Sequence, residues 1–92
     1  MADTSLNEYR IGLLIWQTSN LWQSKVRNKL SKYNISFNEY LIIETIYNLS
    51  IVSNNISQID IVNNSFIDKS VVSAKLSQLA KKKLIKKMTS ND

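Results

Sequence analysis

The sequence predicts a mainly α-helical chain with one short strand near its end. Two observations carry that expectation. The 92 residues include no proline and a single glycine, which suits helices and starves a turn-rich β-architecture. Four places also carry helix-start chemistry, each followed by apolar residues at three- and four-residue spacing.

The first start is Ser5-Leu6-Asn7-Glu8, the pattern of a capping box in which Ser accepts a backbone N–H and Glu reaches back. Leu6, Tyr9, Leu13 and Trp16 then form one apolar stripe, and Ile11, Ile15, Trp22, Val26, Leu30 and Tyr33 another. The spacing predicts one helix over 5–32, apolar on two faces through its first half. Such a helix must be covered on two sides. Its own domain supplies one cover, and a partner chain is the simplest source of the second. Asn20 either sets the register at that seam, as a polar residue in an apolar stripe can, or faces solvent.

Ser36-Phe37-Asn38-Glu39 is a second capping box, with Ile35 and Tyr40 at the positions of a hydrophobic staple. Its helix runs to about Ser50 on the apolar set Leu41, Ile42, Ile43, Ile46 and Leu49, with Tyr40 and Tyr47 expected to be partly buried. Ser53-Asn54-Asn55 breaks the pattern. Ser57 caps a third, short helix, stapled by Ile56 and Ile61, with Asp60 as cap partner. That helix is expected to end near Asn63-Asn64, because Asn tolerates left-handed geometry. Asp68 caps a fourth helix, stapled by Ile67 and Val72, whose inner face is Val72, Leu76 and Leu79. Leu84-Ile85-Lys86-Lys87-Met88 reads as a strand, and Thr89 to Asp92 as the start of a turn.

Composition removes several function classes. A chain of this length is one domain with a modest core, marginal in stability without a partner subunit. It has no cysteine and no histidine, so no thiolate metal site, His triad or His general base is available. Its seven acids are scattered. The expectation is therefore a protein that is not an enzyme and carries no cofactor or metal. No apolar run is long enough to span a bilayer, and Met1 to Ser5 lack a basic signal-peptide start. A cytoplasmic protein with no membrane partner follows.

Charge points to a partner. The formal net charge is +5, and seven of the twelve basic residues fall between Lys69 and Lys87, a stretch without an acid. Such a block favours a polyanion, nucleic acid first and an acidic membrane surface second. The narrow apolar face of the fourth helix suits a domain core better than a membrane.

The third and fourth helices, over 56–82, have the lengths and short turn of a helix-turn-helix, whose second helix enters the major groove. Over 68–82 that helix carries Lys69, Ser70 and Ser73, then Lys75 and Gln78, on its outer side. Ser and Gln bond to bases or phosphates, and Lys neutralises phosphates. Lys81-Lys82-Lys83 at the helix end, with Lys86 and Lys87 beyond, exceed what the helix dipole accounts for. Phosphate contact accounts for them, which adds Lys82, Lys86 and Lys87 to the expected DNA-binding set.

These segments resemble the MarR family of winged-helix regulators. The likeness rests on Ser36-Phe37-Asn38-Glu39-Tyr40, on Ile56-Ser57-Gln58-Ile59-Asp60-Ile61-Val62, and on Asp68-Lys69-Ser70-Val71-Val72-Ser73 followed by Leu76, Leu79, Leu84 and Ile85. The resemblance implies a winged helix-turn-helix in a homodimer that binds duplex DNA as a transcription regulator. Its long first helix (5–32) would form the dimer interface through Leu6, Tyr9, Leu13, Trp16 and Asn20. Carried over by position, Lys69, Ser70, Val71, Ser73 and Ala74 would contact DNA, and a truncated wing would begin over 84–92. Trp16 and Trp22 invite a small aromatic effector, although packing is the favoured role. Ala74 stands where the family often has Arg. Lys83 stands where it has a helix-ending Gly, so Lys83 must turn left-handed or the helix must end differently. The chain stops at Asp92, before a wing return strand. The alternative reading is a winged-helix protein-interaction module without DNA binding.

Overall fold

The computed structural model describes residues 4–86, and side chains from residue 10 onward. Among these residues the chain is mainly helical and has no strand. Four α-helices follow in order: α1 Thr4–Leu30, α2 Phe37–Ser50, α3 Gln58–Ser65 and α4 Lys69–Lys81, with a 3₁₀ turn Ser31–Tyr33 after α1. The chain divides into two compact units between Phe37 and Asn38.

The first unit is built on α1, 27 residues and so about 40 Å long. Arg27 and Lys29 in its last turn complement the negative end of the helix dipole. The helix tightens into the 3₁₀ turn and stops at Asn34, which is left-handed with φ 57°. There the Asn34 N–H donates to the Ser31 carbonyl at 3.3 Å and the Ile35 N–H to the Leu30 carbonyl at 3.4 Å. Asn is one of the few residues that takes this conformation cheaply. Beyond it Phe37 meets the edge of Trp22, with ring centroids 5.5 Å apart at 78°, and the Arg27 guanidinium lies 5.1 Å from the Phe37 ring centre. Both arrangements suit the charge distribution of an aromatic ring.

The second unit has a core of Ile42 from α2, Ile61 from α3, and Val72, Leu76 and Leu79 from α4. Ile43, Ile46, Leu49, Ile56, Val62, Ile67 and Ile85 pack against it. The inner face expected of α4 is therefore the buried one. Burying each of the aliphatic core side chains is worth about 1.5–3 kcal/mol. The caps are equally direct. Ser57 accepts the Asp60 N–H at 3.1 Å while the Asp60 carboxylate accepts the Ser57 N–H at 3.0 Å, a complete capping box. Asp68 accepts the Ser70 N–H at 3.1 Å and also its hydroxyl. Ile56 and Ile67, each just before a cap, join the same core as Ile61 and Val72, as staples require.

Several expectations need correction. Leu84, Ile85 and Lys86 do not form a strand, and Lys87 and Met88 lie outside the described residues. The reason is local: Lys83 is left-handed, φ 63°, and the Leu84 N–H turns back to the Leu79 carbonyl at 3.0 Å. With the Lys83 N–H on the Ala80 carbonyl, also 3.0 Å, this is a Schellman closure that satisfies orphan helix carbonyls. α3 does not end at a left-handed Asn63 or Asn64. It runs to Ser65, and Phe66 takes the left-handed position, φ 60°. Asn64 instead donates its side-chain amide to the Asp60 carbonyl at 2.8 Å. Tyr47, expected to be partly buried, is exposed, whereas Tyr40 is half-buried. The capping box at Ser5 to Glu8 falls on side chains outside the described residues.

Candidate nucleic-acid interface

α4 has two chemically distinct faces. Val72, Leu76 and Leu79 are buried. Lys69, Ser70, Ser73, Ala74 and Gln78 are exposed, and Val71 and Lys75 are half-buried. Lys69, Ser70, Ser73 and Ala74 fall within the first two turns of one helix, and Gln78 lies one turn beyond. Lys75 Nζ donates to Gln78 Oε1 at 3.3 Å, so the two present a joint polar group.

The turn Phe66–Asp68 delivers the chain from α3 into this helix. Phe66 ends α3 through its N–H on the Val62 carbonyl at 3.1 Å, and the Ile67 N–H donates to the Ser65 hydroxyl at 3.2 Å. Asp68 then caps α4. The Ser70 hydroxyl and N–H hold the Asp68 carboxyl below its ordinary value of 3.8. At Asp60 the Ser57 backbone N–H and hydroxyl do the same. Both acids are thus fixed as ionised caps at neutral pH, and the carboxylate nearest Lys69 is occupied with the helix end.

The exposed basic residues differ in what they do within the fold. Lys69, Lys81, Lys83 and Lys86 are exposed. Lys82, expected to contact DNA, has its Nζ 3.0 Å from Glu39 Oε1, and Glu39 is only 2% exposed. This ion pair ties the first turn of α2 to the end of α4, and Lys82 brings a charge already countered. Lys87 lies outside the described residues. On α2, burial, the Glu44 charge and a hydrogen bond to Glu44 raise the Tyr40 hydroxyl above its ordinary value of 10.0, so Tyr40 remains neutral.

Sequence reasoning missed two residues here. Glu39 reads locally as a helix-cap acid, and its partner lies 43 positions away. Phe66 had no place in the apolar periodicity, since the staple used Ile67. An aromatic stranded between a helix end and the next cap is the signal that marks it.

On α1, the expected dimer residues Leu13 and Trp16 are 55% and 62% exposed, and Asn20 is exposed too. Ile11, Leu14, Ile15, Leu21 and Trp22 share that exposure. The side chains of Leu6 and Tyr9 lie outside the described residues. Ile11, Leu14, Ile15, Thr18, Ser19 and Trp22 line a shallow apolar depression along the helix. Among the described residues no helix is long and apolar enough to cross a membrane. Comparison with protein-family models, with curated proteins and with solved structures returned no match.

Proposed function

We propose that this chain is a winged-helix transcription regulator of the MarR kind that binds duplex DNA as a homodimer, with α4 in the major groove and no catalytic role. The observation that carries the reading is the two-faced α4: a core-facing Val72–Leu76–Leu79 side, and an exposed side of Lys69, Ser70, Ser73 and Gln78 entered through a three-residue turn. A short helix, a tight turn and a second helix of this kind suit insertion into a groove about 12 Å wide. Lys69, Lys81, Lys83 and Lys86 supply phosphate contacts around it, and the stretch from Lys69 to Lys87 contains no acid to oppose them.

The dimer part of the reading is supported by α1. Leu13, Leu14, Ile15, Trp16 and Leu21 leave a contiguous run of apolar side chains more than half exposed, more than a lone surface helix ordinarily leaves in water. Gly12, the single glycine, lies in this helix, and a Cβ there would meet nothing within 4 Å. Among the described residues nothing packs on Gly12, and a glycine there leaves room for a second helix to approach closely.

Titrating the protein into a fluorescent random-sequence duplex tests the reading. With the four exposed lysines on phosphates, affinity falls roughly a hundredfold per chain between about 50 and 200 mM salt. A folded protein that binds no duplex at the lower salt would leave the second reading, an interaction module. Ala74, a residue with no donor in the middle of the exposed face, is the observation that favours it.

A further inference from the structure

Phe66 is 92% exposed, the highest value among the large apolar side chains described. It also occupies the left-handed region, φ 60°, where a bulky residue is a true outlier. The chain therefore bears two costs at one position, strained backbone and an aromatic ring in water. The left-handed turn ends α3, but an aromatic side chain is not needed to make it. Asn34 ends the 3₁₀ turn after α1 in the same conformation with a residue that tolerates it. The neighbouring Ile67 turns into the core, so the chain presents Phe66 outward by choice of position.

The surroundings say what the ring meets. Phe66 leads within four residues into Asp68, Lys69 and Ser70, the opening of α4. A phosphate gains nothing from a ring without a donor or charge. The apolar group that a duplex offers to a helix-turn-helix is the thymine 5-methyl, which lines the major groove and which Phe contacts. We propose that Phe66 is a specificity-determining residue that reads thymine, its ring against the 5-methyl group beside the bases met by the first turn of α4. This rests on the regulator reading above.

The test begins with a duplex selected by the wild-type protein from a random pool. Each thymine in turn is then replaced by deoxyuridine, which lacks only the methyl. One such replacement weakens wild-type binding about fourfold per methyl lost. Phe66→Gly binds the thymine duplex about as the wild type binds the uracil one, and is indifferent to the swap. Its thermal melt equals or exceeds that of wild type, since glycine relieves the strained backbone; Phe66→Asn gives the same pattern by a second route. Full thymine-over-uracil discrimination in both variants, or none in the wild type, overturns the assignment to Phe66 and leaves the regulator reading standing. A folded wild type that selects no duplex at all overturns both.

Discussion

Replacing Lys83 by glycine should make the second unit more stable. Lys83 closes α4 with φ 63°, its N–H on the Ala80 carbonyl and the next N–H on the Leu79 carbonyl, both at 3.0 Å. A left-handed L-residue costs about 1–2 kcal/mol. Glycine removes that cost but loses more chain entropy on folding, about 0.5–1 kcal/mol. The net gain is about 0.5–1 kcal/mol, and a domain of this size gains roughly 4–8 °C in Tm for the larger figure. Urea and thermal unfolding followed by far-UV circular dichroism read it. Tryptophan fluorescence is the wrong probe, because Trp16 and Trp22 both lie in α1. Lys83→Ala is the control: it removes the same charge and keeps the Cβ, so it should gain nothing. Equal stability of the Gly and Ala variants would refute the left-handed closure.

Further outcomes follow from the same structure. Ser57→Ala removes one half of a capping box and should cost about 1 kcal/mol in urea unfolding. Glu39→Ala should cost more, about 1–3 kcal/mol, because it removes a buried side chain and its ion pair; the side chain of Lys82 is 32% exposed, which keeps the figure below that of a fully buried pair. Asp60 and Asp68 are held below the ordinary carboxyl value in the folded chain, so their contribution to stability is complete above 3.8 and is lost as pH falls below it toward the folded-state values. An acid titration by circular dichroism should show this loss, and Asp68→Asn should remove its share. If α1 forms the proposed dimer, Trp16→Glu places a charge on its exposed apolar surface and should shift sedimentation toward monomer.

What was legible in the sequence was local. Helix starts rest on side chains within three residues of the backbone they cap, so Ser57 with Asp60, and Asp68 with Ser70, could be read directly. The face of α4 followed from the spacing of Val72, Leu76 and Leu79. Helix ends were harder, because the usual marker, a glycine, is absent from every one of them. Asn34, Phe66 and Lys83 take the left-handed positions, and only the Lys83 alternative was visible beforehand. The short apolar run Leu84-Ile85 suggested a strand, yet among the described residues its backbone has no partner strand. Ile85 reaches the core all the same. The Glu39–Lys82 pair joins residues far apart in the chain, and no local pattern announces it. That pair also changes the candidate site, since one lysine expected on DNA is committed within the fold.

The most direct test of the central claim is to follow the backbone amides of isotope-labelled protein by NMR while adding a duplex at low salt. The account predicts shifts concentrated from Phe66 to Lys75, at Gln78, and around Lys81, Lys83 and Lys86, with the amides of α1 unmoved by DNA. Shifts confined to α1, or none at saturating duplex, would contradict it.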